Sequence, residues 1–222
     1  EQMILQQSNE RDFFNRILFS DEAHFELQGY VNSQNFRFWR NENPRAISER
    51  SNFPKKLTVW CGLWSGGVIG PYFFEDADGT SLTVNSARYQ EMLLNFVWPA
   101  VDTLPEESWF QQDGAPCHTA RTTMDILRQK FPERLISRNG IINWPPRSCD
   151  LNPLDFFLWG YIKDKVYENK PNSISHLKEA ICHIIGTITS DLCHRVIENF
   201  ERRIHYCAEH EGGHTLDFIF HN

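Results

Sequence analysis

Apolar and polar positions first fall into order at RILFSDEAHFELQ (16–28), where they alternate with the two-residue period of a strand. LTVWCGLWSGGVIGPYFFE (57–75) holds two β-branched and aromatic runs around Gly66-Gly67, the pattern of a hairpin. The period changes at SARYQEMLLNFVWPAVDTL (86–104), where helical spacing puts Leu93, Phe96 and Val97 on one side. WFQQD (109–113) returns to a strand, HTARTTMDILRQKF (118–131) to a helix, and RLISRNG to a short strand. Asn152 followed by Pro153 starts a further helix, a cap residue with proline at the first helical position. ISHLKEAICHII and DLCHRVIENFERRIHYCAEH complete the chain as amphipathic helices. The order β, β-hairpin, α, β, α, β, α predicts an α/β fold, a mixed sheet flanked by helices as in an RNase H-like domain, with C-terminal helices added.

Between the first strand and the hairpin the pattern lapses. Residues 29–56 are rich in Asn, Arg and Ser around the apolar island FRFW (36–39), so a long insertion with its own anchors is expected. The N-terminal EQMILQQSNERDF lacks the basic, apolar and small-residue order of a signal peptide, and it reads as the interior of a longer chain. No apolar run reaches the ~18 residues of a membrane span.

Composition changes the picture in two respects. Six cysteines without a CxxC pair read as reduced thiols in a chain of 222 residues, not as a disulfide framework. A net charge of −7 argues, as an average, against nucleic acid. The average conceals two basic stretches. Arg37, Arg40, Arg45, Arg50, Lys55 and Lys56 stand against only Glu42 and Glu49, and Arg121, Arg128, Lys130, Arg134, Arg138 and Arg147 against only Asp125 and Glu133. Each stretch by itself reads equally as solvated surface.

Three acids occupy privileged places. Asp21 shares a face of the first strand with Ile17 and Phe19, Asp113 ends WFQQD, and Asp155 is the third residue after the Asn152 cap. Taken singly, Asp21 could end a strand, Asp113 cap a turn and Asp155 complement a helix dipole. Taken together, carboxylates from two strands and a helix start can converge beside the sheet. Hard divalent cations take such oxygen ligands, and a pair of them ~4 Å apart can activate water and stabilise a leaving oxygen in phosphoryl transfer.

ILFSDEAHF, WFQQDGAPCHTA and WPPRSCDLNPLDFFLWG closely resemble, in order and spacing, the three catalytic blocks of Tc/mariner-type DDE/D transposases. The resemblance spans roughly residues 12–210. It implies an RNase H-like catalytic core (about 12–170), a clamp-like insertion at 29–56 and a C-terminal helical part at 171–222, in one domain. It implies Asp21, Asp113 and Asp155 as catalytic residues and metal ligands, with two Mg2+ ions, or Mn2+ as substitute. It selects Asp155 over Asp150, because the family's third acid follows the DLNP-like segment. The implied activity is hydrolysis of phosphodiesters at transposon ends and joining of the 3′ hydroxyls to target DNA, by a nuclear protein that forms a homodimer in the full complex. The family's N-terminal helix-turn-helix modules are absent from this stretch.

Departures are visible as well. Forty-one residues separate Asp113 from Asp155, the third acid is Asp where many relatives carry Glu, and Cys149 stands where proline is usual. They mark a distinct subfamily. A plain RNase H-like nuclease and an inactive, domesticated DNA-binding or scaffold protein remain as alternatives. Arg37, Arg45, Arg121, Arg128 and His118 are candidate DNA contacts, although His118 reads equally as a helix-start residue. Glu22 and His24 face away from Asp21. Without a cation the acids should repel, with Asp155 the one turned aside. His205, Cys207, His210 and His214 lack the tight paired spacing of structural zinc ligands.

Overall fold

The computed structural model describes residues 1–27, 55–210 and 212. Its centre is a six-stranded sheet built from β1 (Ile17–Glu26), β2 (Lys56–Trp64), β3 (Gly67–Phe73), β4 (Trp109–Gln111), β5 (Leu135–Ser137) and β6 (Ile142–Asn143). The strand order is β3-β2-β1-β4-β5-β6. β1, β2 and β3 are antiparallel neighbours, while β4, β5 and β6 join β1 in parallel. This is the mixed sheet expected for an RNase H-like domain. The hairpin turns over Ser65-Gly66, where a Cβ on Gly66 would run into the Trp64 ring at 2.4 Å. β6, only two residues long, carries too little pattern to be seen in the sequence.

Alternation along β1 sorts the molecule into two cores. Ile17, Phe19, Ala23 and Phe25 face one side, with Trp159, Ile162, Leu177, Ile181, Ile197 and Phe200. Leu18 faces the other, with Trp60, Tyr89, Leu93, Val97, Phe110 and Leu127. Each large side chain so buried contributes about 1.5–3 kcal/mol, so both faces of β1 are strongly specified. α1 (Gln2–Asn9), which the polar opening of the chain does not predict, touches the first core through Met3.

The helices start where their caps dictate. The Asn85 side chain accepts from the Arg88 amide to open α2 (Ser86–Met92), which runs on through a π-turn, Leu93–Val97, into α3 (Trp98–Val101). The stretch read as one helix over 118–131 is two: α4 (Pro116–Thr119) and α5 (Arg121–Lys130), separated by the extended backbone of Ala120. The Asn152 side chain accepts from the Leu154 amide and opens a π-turn, Leu154–Leu158, that continues as α6 (Trp159–Glu168). Ser173 and Thr189 likewise cap α7 (Ile174–Gly186) and α8 (Ser190–Glu209). α7 and α8 share the first core with α6. All six cysteines are unpaired thiols. Among the described residues no helix is long and apolar enough to cross a membrane.

The insertion at 29–56, with Arg37, Arg45 and FRFW, lies outside the described residues except for Lys55 and Lys56.

Candidate active site

β1 and β4 run parallel in the register Ile17↔Trp109, Leu18↔Phe110 and Phe19↔Gln111. Continued by two residues, that register sets Asp21 beside Asp113 where β4 gives out. The Ser20 hydroxyl donates to the Gln111 carbonyl at 2.7 Å and ties the two strands together just before the acids. Asp155 comes from the π-turn that opens α6, the helix packed on the same face of β1 as Asp21. Two strands and one helix start thus bring the three acids to one end of the sheet, and each keeps some contact with solvent.

The acids differ in their surroundings. Asp21 accepts a hydrogen bond from the Trp159 indole at 2.8 Å. Protein surrounds it on the helix side, and this burial, with the charges of Asp155 and Glu22, holds its carboxyl well above the usual carboxylate range. Burial and the charge of Asp113 push Asp155 up to about 6, against the opposing pull of Lys163. Asp155 therefore feels the charges of both other acids. Asp113 is the one engaged elsewhere: it lies 2.5 Å from His118 Nδ1 and accepts from the Ala115 amide at 2.9 Å. Burial raises the Asp113 carboxyl, but the hydrogen bond and charge of His118 outweigh it and hold the group below its usual range.

His118 is only 2% exposed, so it does not reach outward as a DNA contact would. Its Nε2 meets Glu22 at 3.3 Å and its ring packs on Tyr89. Burial opposes charge on the imidazole, yet Tyr89, Glu22 and Asp113 together raise it well above the usual histidine range. Glu22 thus joins the site from the far face of β1, through His118. His24 meets the Thr58 hydroxyl at 3.2 Å, and beside it a cleft of about 320 Å³ is lined by Glu22, Lys56, Ser81 and Thr83 among others.

Arg121 and Arg128 stand on the outer side of α5, both drawn towards Asp125, and Arg128 also donates to the Asn139 carbonyl. Arg138 lies against Gly114, next to Asp113, and is the basic side chain of that stretch brought into contact with the second catalytic block. Trp159, Lys163 and Arg138 went unmarked as site residues in the sequence. For the first two the signal was present: residues 155, 159 and 163 repeat every fourth position and so share one helix face. At the far end of the molecule, His205 lines a shallow hollow on α8 and His210 contacts the Tyr206 carbonyl, while His214 lies outside the described residues.

Among the described residues, no three His, Cys, Asp or Glu side chains are arranged to hold a metal ion. The donor chemistry of the three acids, carboxylate oxygens, is that of a hard divalent cation, and a cation between Asp21 and Asp155 would relieve the repulsion that raises both.

No protein-family model matches the chain. It is 26% identical over 196 residues to the transposable element Tc3 transposase of Caenorhabditis elegans, covering 86% of this chain and 55% of that protein. It is 24% identical over 224 residues to the mariner Mos1 transposase of Drosophila mauritiana, covering 95% of this chain and 59% of that one. The chain thus spans somewhat over half the length of these curated relatives. Among solved structures, a Mos1 mariner paired-end complex with Mn shares its fold at a TM-score of 0.76 and 21% identity, over 96% of this chain and 60% of that one. A structure of the Mos1 transposase catalytic domain and Raltegravir with Mn gives 0.71 and 20%, over 96% and 90%.

Proposed function

We propose, from the premise that this chain is a Tc/mariner-type transposase catalytic domain in sequence likeness and fold, that it cuts DNA phosphodiesters at transposon ends and joins the freed 3′ hydroxyls to target DNA. The observation that supports the reading is that β1, β4 and the start of α6 carry Asp21, Asp113 and Asp155 towards the same end of the sheet, on a fold shared with Mos1 structures with Mn. Asp21 and Asp113 would hold one divalent cation and Asp155 would complete the site, with Mg2+ or Mn2+ as the ion and a pair of ions as the full complement. When bound, such ions polarise the phosphate and lower the pKa of a bound water or hydroxyl.

The chain's own groups have separate tasks. The Trp159 indole fixes one Asp21 oxygen, leaving the other for a ligand. His118 holds Asp113 as a carboxylate at neutral pH, the form that would ligate a cation. Arg138 supplies positive charge beside Asp113, and Arg121 and Arg128 present it on the outer side of α5, where phosphates give affinity without sequence information. Arg37 and Arg45 of the 29–56 insertion would add to it. A second copy of the protein in the full complex, and work in the nucleus, follow from the same reading.

A nicking and strand-transfer assay on the full-length parent, with candidate element ends, tests it. Mg2+-dependent cutting with joined products is expected. Cleavage of RNA in a hybrid with no joining would overturn it in favour of a plain nuclease.

A further inference from the structure

α6 lays three residues along β1 at four-residue intervals. Asp155 lies at its start, Trp159 donates to Asp21 and packs edge-on against Phe25, and Lys163 stands over the Phe25 ring with its ammonium 5.4 Å from the centroid. Asp21 and Phe25 share a face of β1, so strand and helix run as matched ladders. Lys163 is only 4% exposed. Among the described residues it makes no ion pair within 4 Å and no hydrogen bond, an uncommon state for a buried ammonium. Burial lowers its pKa from the ordinary lysine value, and the charges of Asp155, Asp21 and Glu26 oppose that shift. It acts in turn on His24, across the strand.

We propose that Lys163 is a positioning residue of the acid cluster, a built-in counter-cation that holds Asp21 and Asp155 together before a divalent ion arrives. A buried lysine with no partner at hydrogen-bond distance is retained at a cost. Its attraction to two acids that repel each other offsets part of that cost, since charges beyond contact distance still interact in a protein interior. The packing supports the assignment: the ammonium stands over Phe25, against which Trp159, the donor to Asp21, also packs. The consequence is opposite for the two states. Lys163 stabilises the metal-free site and competes with a divalent cation that enters it, a step that rests on the acids being the cation site.

The experiment uses the 222-residue chain in EDTA and then titrated with Mn2+ alone. Lys163→Met keeps the length and removes the charge. It should lower the metal-free melting temperature by about 2–4 °C, and bind Mn2+ about 3- to 10-fold more tightly than the unsubstituted protein. In a background of Asp155→Asn the melting penalty should largely disappear. Loss of packing alone would give the same penalty in both backgrounds and weaker Mn2+ binding, and that result overturns the proposal. Should Lys163→Met not fold in EDTA, recovery of folding in the double variant supports the proposal, and failure of the double variant refutes it. If the unsubstituted chain binds no Mn2+, the cation-site reading fails, while the paired melting temperatures still decide the role of Lys163.

Discussion

The two halves of the acid site are held in opposite ways. On one side Asp21 on β1 and Asp155 at the start of α6 act on each other by charge, the Trp159 indole of α6 donates to Asp21, and both acids are left with raised pKa values. On the other, Asp113 is paired with His118 five residues along the chain and stays ionised. The first half stores electrostatic strain that a divalent cation would relieve. The second is already satisfied and must give up a partner to bind one. A site so divided is poised between holding protons and holding metal, and the balance is set by residues around the acids as much as by the acids.

The largest test of that division substitutes each acid in turn. Asp21→Asn, Asp113→Asn and Asp155→Asn should each reduce Mg2+-dependent nicking by at least about 10³-fold, since an amide keeps the shape and loses the charge that holds the ion. Stability should separate them. Asp155→Asn should raise metal-free stability at pH 7 by about 1–3 kcal/mol, and Asp21→Asn should move it the same way. Asp113→Asn should lower it by about 1 kcal/mol, because His118 loses its anionic partner. Urea denaturation in EDTA reads the difference. Three variants of equal stability would erase the distinction between the halves.

pH sharpens the same contrast. A carboxyl with a raised folded-state pKa binds its proton more tightly when folded. Its contribution is therefore full below the ordinary value of 3.8 and is lost as pH rises towards about 6, the value for Asp155. Over that window the loss is at most about 3 kcal/mol. Metal-free Asp155→Asn should lose less stability than the unsubstituted protein between pH 4 and pH 7, and parallel curves for the two would contradict the assignment.

How far all this could be read beforehand depends on the distance over which each feature is encoded. Asp113, its turn and the helix after it lie within one block, and so do the Asn152 cap and Asp155; local pattern and family likeness found them. The pairing of Trp159 with Asp21 joins residues far apart in the chain, and nothing in the period of α6 says which strand it will meet. His118 stayed open between DNA contact and helix-start residue for a related reason, because its burial depends on Tyr89, which arrives from α2. The break at Ala120 was hidden because helical spacing continues on both sides of it.

Arg203 makes the same point. It belongs by sequence to the charged C-terminal surface, yet it is 9% exposed, donates to the Asp150 carbonyl at 2.8 Å and lies over Phe156. It is a brace beneath the third catalytic block, so only exposed Arg202 serves as a surface control. The smallest predicted effect uses that control. Reversing Arg121 and Arg128 to Glu should weaken binding of a random duplex by about 3- to 10-fold at low salt, more than Arg202→Glu, with the difference shrinking as salt rises. Fluorescence anisotropy at two salt concentrations checks it. Equal behaviour would make the α5 arginines ordinary solvated surface.

The chemistry of the acid site turns on where a divalent ion sits. A crystal grown or soaked with Mn2+ and measured at the manganese edge locates it directly. The expected result is anomalous density touching carboxylate oxygens of Asp21 and Asp113, with Asp113 released from His118 and Asp155 within reach of a second ion. An ordered site with no such density, or with the Asp113 and Asp155 carboxyls more than about 10 Å apart, would contradict it.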